Sequence, residues 1–292
     1  MSAVPARPKA DGGVRSRRRR FPARHTVMVL VSLAMLVPAY LLVVNALKPQ
    51  AAILSSPFGL DTRGLSLRYL HDALTSPNFS LARAYVVSAI VALVSVTLVI
   101  VCCGPLAYLI ARRDTVPYRV LFYLFVAGTF IPSQAILIPV VYILRIIHLM
   151  NSVPGLLLYE AALFSPMTVF LYVGYIRSVP RELDEAAAVD GASLLRTYWR
   201  VLFPLLKPAT VTVIILNAVF SWNDFVDPLT ILGPTSKNFT VTSAIYEAIG
   251  QYNTNYTAVF PDVLLAVAPA VIFFLFMQRR FISGLLTGAT KG

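Results

Sequence analysis

The sequence predicts an all-α, polytopic membrane protein with six transmembrane helices, and three observations carry that expectation. Mean hydropathy is +0.74. Only 13% of the residues are charged, against about a quarter in soluble domains. The apolar residues gather into runs that reach or exceed the ~20 residues needed to cross a hydrocarbon core.

Taken in order, a basic leader (1–24), expected to be disordered, precedes a membrane domain (25–292). The runs 26–47, 84–111 and 120–144 contain no Asp, Glu, Lys or Arg and read as spans one to three. Single acids punctuate the next three: Glu160 in 150–176, Asp224 in 208–226 and Asp262 in 256–278. Pro132 and Pro139 in the third span, and Pro261 and Pro269 in the sixth, remove amide donors and are expected to bend those helices. The first span is too long for the roughly 7–15-residue core of a cleavable signal and reads as an anchor.

Six spans put both termini on one side and divide the charges unequally. Of the 25 Lys and Arg, 19 fall on the face that holds both termini and the segment 178–208. The positive-inside rule assigns that face to the cytoplasm. The "RSRRRR" run at 15–20 is then an orientation signal meeting anionic lipid, not a nucleic-acid site. On the other face the loops 48–83 and 227–255 are long, and the second, rich in Asn, Thr and Tyr, is a candidate partner contact.

Catalytic chemistry is sparse. His25, His71 and His148 are isolated, without metal-ligand spacing, and Cys102 and Cys103 are helix neighbours that read as apolar packing residues. No lysine follows a glycine, which excludes the phosphate-binding G-x-x-x-x-G-K-[ST] loop, so uphill work would need a partner or an ion gradient. Intramembrane acids would serve ion coupling. Glu160, Asp224 and Asp262 lie in the outer halves of their spans and are expected at interface or loop-facing positions instead. An ion-coupled carrier and a non-transporting scaffold are the alternatives to a partner-driven transporter.

The segment 181–208, "RELDEAAAVDGASLLRTYWRVLFPLLKP", is helical in pattern yet charged. With Ser178 as N-cap and Pro180 in the first turn, Leu183, Ala186 and Ala187 share one face, and Arg181, Glu182, Asp184 and Glu185 point elsewhere. Gly191 suits a left-handed helix end, Ser193 caps a second helix, and Leu194, Tyr198, Val201 and Leu205 form its stripe before Pro204 and Pro208 turn the chain back. Interfacial helices favour Lys/Arg-rich polar faces, and here Glu182, Asp184, Glu185 and Asp190 nearly balance the bases; a protein partner fits better than lipid.

Glu185, Ala186 and Ala187, then Gly191 after three residues, then Val201, Leu202, Phe203 and Pro204 after nine more, resemble the E-A-A-x3-G-x9-I-x-L-P loop of binding-protein-dependent ABC importer permeases. Val201 for Ile and Phe203 for Leu are mild departures, and Asp190 and Ala192 match the "EAA..DGA" form of the carbohydrate branch. "IPSQAILIPV", "SVPRELDEAA", "SWNDF" and "QRRFISGLLTGATKG" resemble its MalG-type subunit, while His148 stands where the family more often has Gly.

The resemblance implies a MetI-like fold and a non-catalytic permease that binds no cofactor. It implies a bacterial plasma-membrane importer with a second, MalF-like permease, a cytoplasmic ATPase dimer carrying ATP and Mg, and an external sugar-binding protein. It also implies an ATPase-docking set of Glu182, Leu183, Glu185, Ala186, Ala187, Asp190, Gly191, Ala192, Tyr198 and Pro204. The tail 279–292, entered through Gln278, would reach the ATPase interface with Arg279, Arg280, Gly284, Gly288 and Gly292, and Asn217, Trp222 and Asn223 would line the substrate pathway.

Overall fold

The computed structural model describes residues 23–60, 64–75, 81–233, 238–249 and 255–289, with side chains left out at 23–24, 247–249 and 277–289. Every element among them is helical: α1 (Ala23–Asn45), α2 (Gln50–Ser55), α3 (Arg68–Thr75), α4 (Leu81–Arg112), α5 (Val116–Gly128), α6 (Ser133–Ile146) and α7 (Val153–Arg177). There follow α8 (Glu182–Val189), α9 (Leu194–Thr197), a π-helical turn (Tyr198–Leu202), α10 (Phe203–Leu205), α11 (Lys207–Asn223), α12 (Val226–Leu232), α13 (Val241–Ile249) and α14 (Tyr256–Ala289). The chain divides after Leu41, within α1, and the helical body begins at Leu42. The leader 1–22 lies outside the described residues.

Among the described residues four helices are long and apolar enough to cross a membrane, and up to six spans result if each of two bent pairs counts as one. The 120–144 run is one of those pairs: α5 and α6 meet at 107°. Pro132, the N-cap of α6, lacks an amide donor and disfavours helix at the residue before it, so the helix breaks there. Pro139, expected to bend the chain, lies inside an unbroken α6, as Pro261 and Pro269 lie inside α14.

The core runs along α4, which is apolar all round. Its buried face carries Ala84, Ser88, Ala92, Ser95, Val99, Cys103, Ala107 and Ala111, small residues mostly four apart. Between membrane helices the hydrophobic drive is weak, and small side chains let backbones approach closely for dispersion contact. Phe164, Val169, Tyr172, Val173 and Ile176 of α7 fill that ridge. Val87 and Val91 continue the core against Leu156, Leu137 and Ile231.

The described residues of the 48–83 and 227–255 connections carry helices and buried residues rather than standing off as loops. The described residues of the 227–255 segment, expected as a candidate partner contact, lie in α12, α13 and the stretches beside them, with Asp227, Ile231, Leu232, Val241 and Ser243 buried. The "VDPLTIL" run supplies the apolar residues, and Ser88 Oγ accepts the Val241 amide at 2.9 Å. After α1, buried Lys48 donates to the Ser56 carbonyl at 3.0 Å and so ties down the turn into α2.

His148 ends the α6 turn with φ 56°, a left-handed conformation, which accounts for a glycine being the commoner choice there. Such a residue carries about 1–2 kcal/mol of strain. His148→Gly is therefore expected to raise the unfolding midpoint of the detergent-solubilised protein by a few degrees; a lowered midpoint would show that the imidazole contributes more than its backbone loses.

Candidate functional site

The site is the knob between the end of α7 and the start of α11. Glu182, Asp184 and Glu185 occupy the first turn of α8, where the helix dipole favours carboxylates. Ser178 does not cap this helix: it closes α7, its hydroxyl donating back to the Tyr175 carbonyl at 2.8 Å, and Arg181 takes the cap position of α8 without a side-chain bond.

Helix α8 ends as its glycine requires. Gly191 has φ 75°, the Ala192 amide bonds to Ala187 O at 2.9 Å, and the Asp190 amide to Ala186 O at 3.1 Å, closing the last carbonyls. The chain then turns into α9, and the expected N-cap Ser193 makes no side-chain cap bond. Outward the knob presents Glu182, Leu183, Glu185, Ala186, Asp190 and Gly191, all exposed, with Val189 at 88% and Leu195 at 60% exposure. This face therefore sets an apolar ridge beside carboxylates.

Its underside differs from the expected helical face. Ala187 is buried but Leu183 and Ala186 are not, and Asp184, expected to point away, faces inward three residues before Ala187. The reason is a partner the local pattern cannot show: Arg112, the last residue of α4, pairs with Asp184 at 2.8 Å, and Tyr108 donates to the same carboxylate at 2.8 Å. Arg112 also donates to the Val179 carbonyl at 3.1 Å, so one guanidinium holds the α7–α8 turn and α8 together.

The stripe after Gly191 shifts as well. Leu194 and Leu205 are exposed, while Tyr198, Leu202 and Leu206, each four residues apart, are fully buried. A π turn widens the helix through i→i+5 bonding and keeps fourth neighbours on one face. Tyr198 packs against Tyr108 and Trp199, its hydroxyl lying on Gly104 of α4 without a hydrogen-bond partner among the described residues. Beyond Leu206 the chain turns by 82° into α11, which has Pro208 in its first turn, as expected of the prolines here.

The residues expected on a substrate pathway do not converge. Asn217 is buried and donates to Thr168 Oγ1 of α7 at 3.2 Å. Trp222 stacks on Tyr85 and donates to the Ala266 carbonyl, while Asn223 is exposed and bonds its own helix. Trp222 does line an apolar cavity of about 340 Å³ with Ala89, Ala92, Pro269 and Phe273. The tail positions Gln278, Arg279, Arg280, Gly284 and Gly288 continue the α14 backbone, and Gly292 lies outside the described residues.

Asp224 lies at the C-cap of α11, half-buried as expected, but the other two intramembrane acids are placed differently from expectation. Glu160 is fully buried, with Ser221 Oγ 2.8 and 3.0 Å from its carboxylate oxygens, and Asp262 is buried too. Asp227, also fully buried, accepts from Tyr159 at 2.8 Å. These pairs join residues more than sixty positions apart, and nothing local announces them.

Residues 104–285 match the family of binding-protein-dependent transport system inner membrane components. The multiple sugar-binding transport system permease protein MsmG of Streptococcus mutans is 37% identical over 70% of this chain and 74% of its own. The melibiose/raffinose/stachyose import permease protein MelC of Bacillus subtilis is 33% identical over 90% of this chain and 94% of its own. A bacterial ABC transporter involved in import of the acidic polysaccharide alginate shares the fold, with a TM-score of 0.78 at 20% identity, covering 88% of this chain and 95% of that one. With this family match over more than half of its length, from within α4 into α14, the chain belongs to the binding-protein-dependent transport system inner membrane components and is a non-catalytic, multi-pass permease.

Proposed function

We propose that this permease carries a sugar or oligosaccharide inward in an ATP-driven importer, with the 177–208 end on the cytoplasmic side and the knob seated on a separate ATPase subunit. A second permease and an external sugar-binding protein complete the assembly, and the ATPase holds ATP and Mg. The relatives named for multiple sugars and for melibiose, raffinose and stachyose support the substrate class. The observation that carries the docking role is the two-sided build of α8: acidic and apolar outward, ion-paired to the transmembrane helix α4 inward. Glu185, Ala186 and Asp190 meet the ATPase, Gly191 sets the angle between the two short helices, and motion of the knob passes through Asp184 and Tyr198 to α4.

The test is Gly191→Leu. Nothing lies within 4 Å of a Cβ built there, so the leucine would not disturb the core. It would strain a left-handed position by about 1–2 kcal/mol and project from the docking surface. Expected are normal membrane insertion and loss of sugar uptake while the ATPase turns over uncoupled or departs during purification. Normal uptake with the ATPase retained would refute the docking role.

A further inference from the structure

At the knob end of the bundle two adjoining polar cavities share Ala111, Arg177 and Arg181, and the larger one also reaches Glu182 at the edge of the docking face. Their volumes are about 410 and 240 Å³. Four guanidinium groups gather here: Arg113 just past α4, Arg119 in α5, Arg177 ending α7 and Arg181 opening α8. One acid, Asp114, sits among them in the smaller cavity and is committed to Arg119 at 2.8 Å, whose hydrogen bond holds its carboxyl below the usual carboxylate range. Arg112, at the rim, is neutralised by Asp184.

Two of the remaining three arginines are held by rings rather than by acids. Arg177 lies 4.9 Å over the Phe122 ring, and Arg113 5.5 Å over the Tyr118 ring with a hydrogen bond to its hydroxyl. A guanidinium stacked by its face keeps in-plane N–H donors available, the geometry that grips a phosphate. Neither Arg177 nor Arg181 donates to a protein acceptor among the described residues. From this cluster α5 runs away with no buried residue, exposing Val116, Val120 and Leu124 at four-residue intervals with exposures of 70%, 51% and 63%. A phosphate site opening onto an apolar ridge, where apolar helices end, fits a molecule with both a phosphate and acyl chains.

We propose that Arg113, Arg177 and Arg181, with Arg119 at the edge, bind the phosphate of an anionic phospholipid headgroup whose chains lie along Val116, Val120 and Leu124. Because Arg181 is the cap residue of α8, the bound lipid braces the root of the knob; the site does not depend on which sugar is carried. The test is native mass spectrometry of the full-length chain, with its copurifying subunits, after exchange into phosphatidylglycerol, phosphatidylcholine or inorganic phosphate. The triple variant Arg113→Gln/Arg177→Gln/Arg181→Gln is expected to lose one retained phosphatidylglycerol, with about a hundredfold weaker affinity at roughly 1 kcal/mol per arginine. The matching triple lysine variant, which keeps charge, should recover part of it, and phosphatidylcholine should not be retained. Equal phosphatidylglycerol retention by the glutamine variant would overturn the site, and saturation by inorganic phosphate alone would overturn the lipid. Loss of the ATPase with lipid retention unchanged would reassign the arginines to the protein interface.

Discussion

Gly104→Ala is expected to push Tyr198 out of its seat and to separate ATP hydrolysis from transport. A Cβ at position 104 would coincide with the Tyr198 hydroxyl and come within 2.9 Å of its ring carbon Cζ. Tyr198 is fully buried and hemmed in by Tyr108, Trp199 and Phe203, with ring centroids 6.0, 4.8 and 6.0 Å away, so the ring has no easy retreat. Overpacking of this kind destabilises by about 1–3 kcal/mol. In the lever proposed above it acts where the π turn meets α4, so coupling should suffer more than stability. The control is Tyr198→Phe, which removes a buried hydroxyl that has no partner and should be neutral or stabilising by up to about 1 kcal/mol. In that background Gly104→Ala should regain most of its transport, measured as uptake per ATP hydrolysed. If the double variant is as impaired as Gly104→Ala alone, the hydroxyl contact is not the transmission point.

The Gly104–Tyr198 contact also shows where sequence reasoning stops. Spans one and two were legible because a charge-free run of membrane length has few other uses, and spans four and six because a single acid does not interrupt an apolar run of that length. Gly191 was legible because only a glycine takes φ 75° without strain. The break between α5 and α6 was half legible: Pro132 announced a bend, but not that the chain would turn by 107°. The small-residue ridge of α4 was hidden because a helix apolar all round has no moment to mark its packing face. Tyr198 is buried as its place in the stripe predicts, but Leu202 and Leu206 were missed in favour of Val201 and Leu205 because a 3.6-residue period was applied across a π turn.

Non-local polar pairs were out of reach for a different reason. Glu160 was read as an interface residue because it lies in the outer half of its span. Ser221, arriving from α11, gives the buried carboxylate a partner, yet sixty-one positions of sequence separate the two. Asp184 was assigned to the outer face for a similar reason: the repeat within α8 carries no information about Arg112, which lies on another helix. Family membership sets aside the ion-coupled carrier, so these buried acids are part of the helix packing rather than a reason to invoke an ion gradient.

Arg112→Met is the second change expected to have a large effect. The Arg112 and Asp184 side chains are only 12% and 17% exposed, and their pair is reinforced by Tyr108 and by the Val179 carbonyl. Exposed ion pairs contribute about 0–1 kcal/mol, whereas removing one partner of a buried pair costs about 3–5 kcal/mol because the other charge is stranded. This site lies between those limits, and a loss of about 2–3 kcal/mol is expected. Since the pair joins α8 to α4, the deficit should fall on the knob: the ATPase dissociates more readily while the membrane helices stay folded. Asp184→Asn, which keeps an oxygen for Tyr108, should be milder. The double variant Arg112→Met/Asp184→Leu strands no charge and should recover most of the stability, but not the rigid link. Restored stability with persistent uncoupling would place the pair in transmission; full recovery of both would make it a folding contact, with Tyr198 on Gly104 left as the route between knob and membrane.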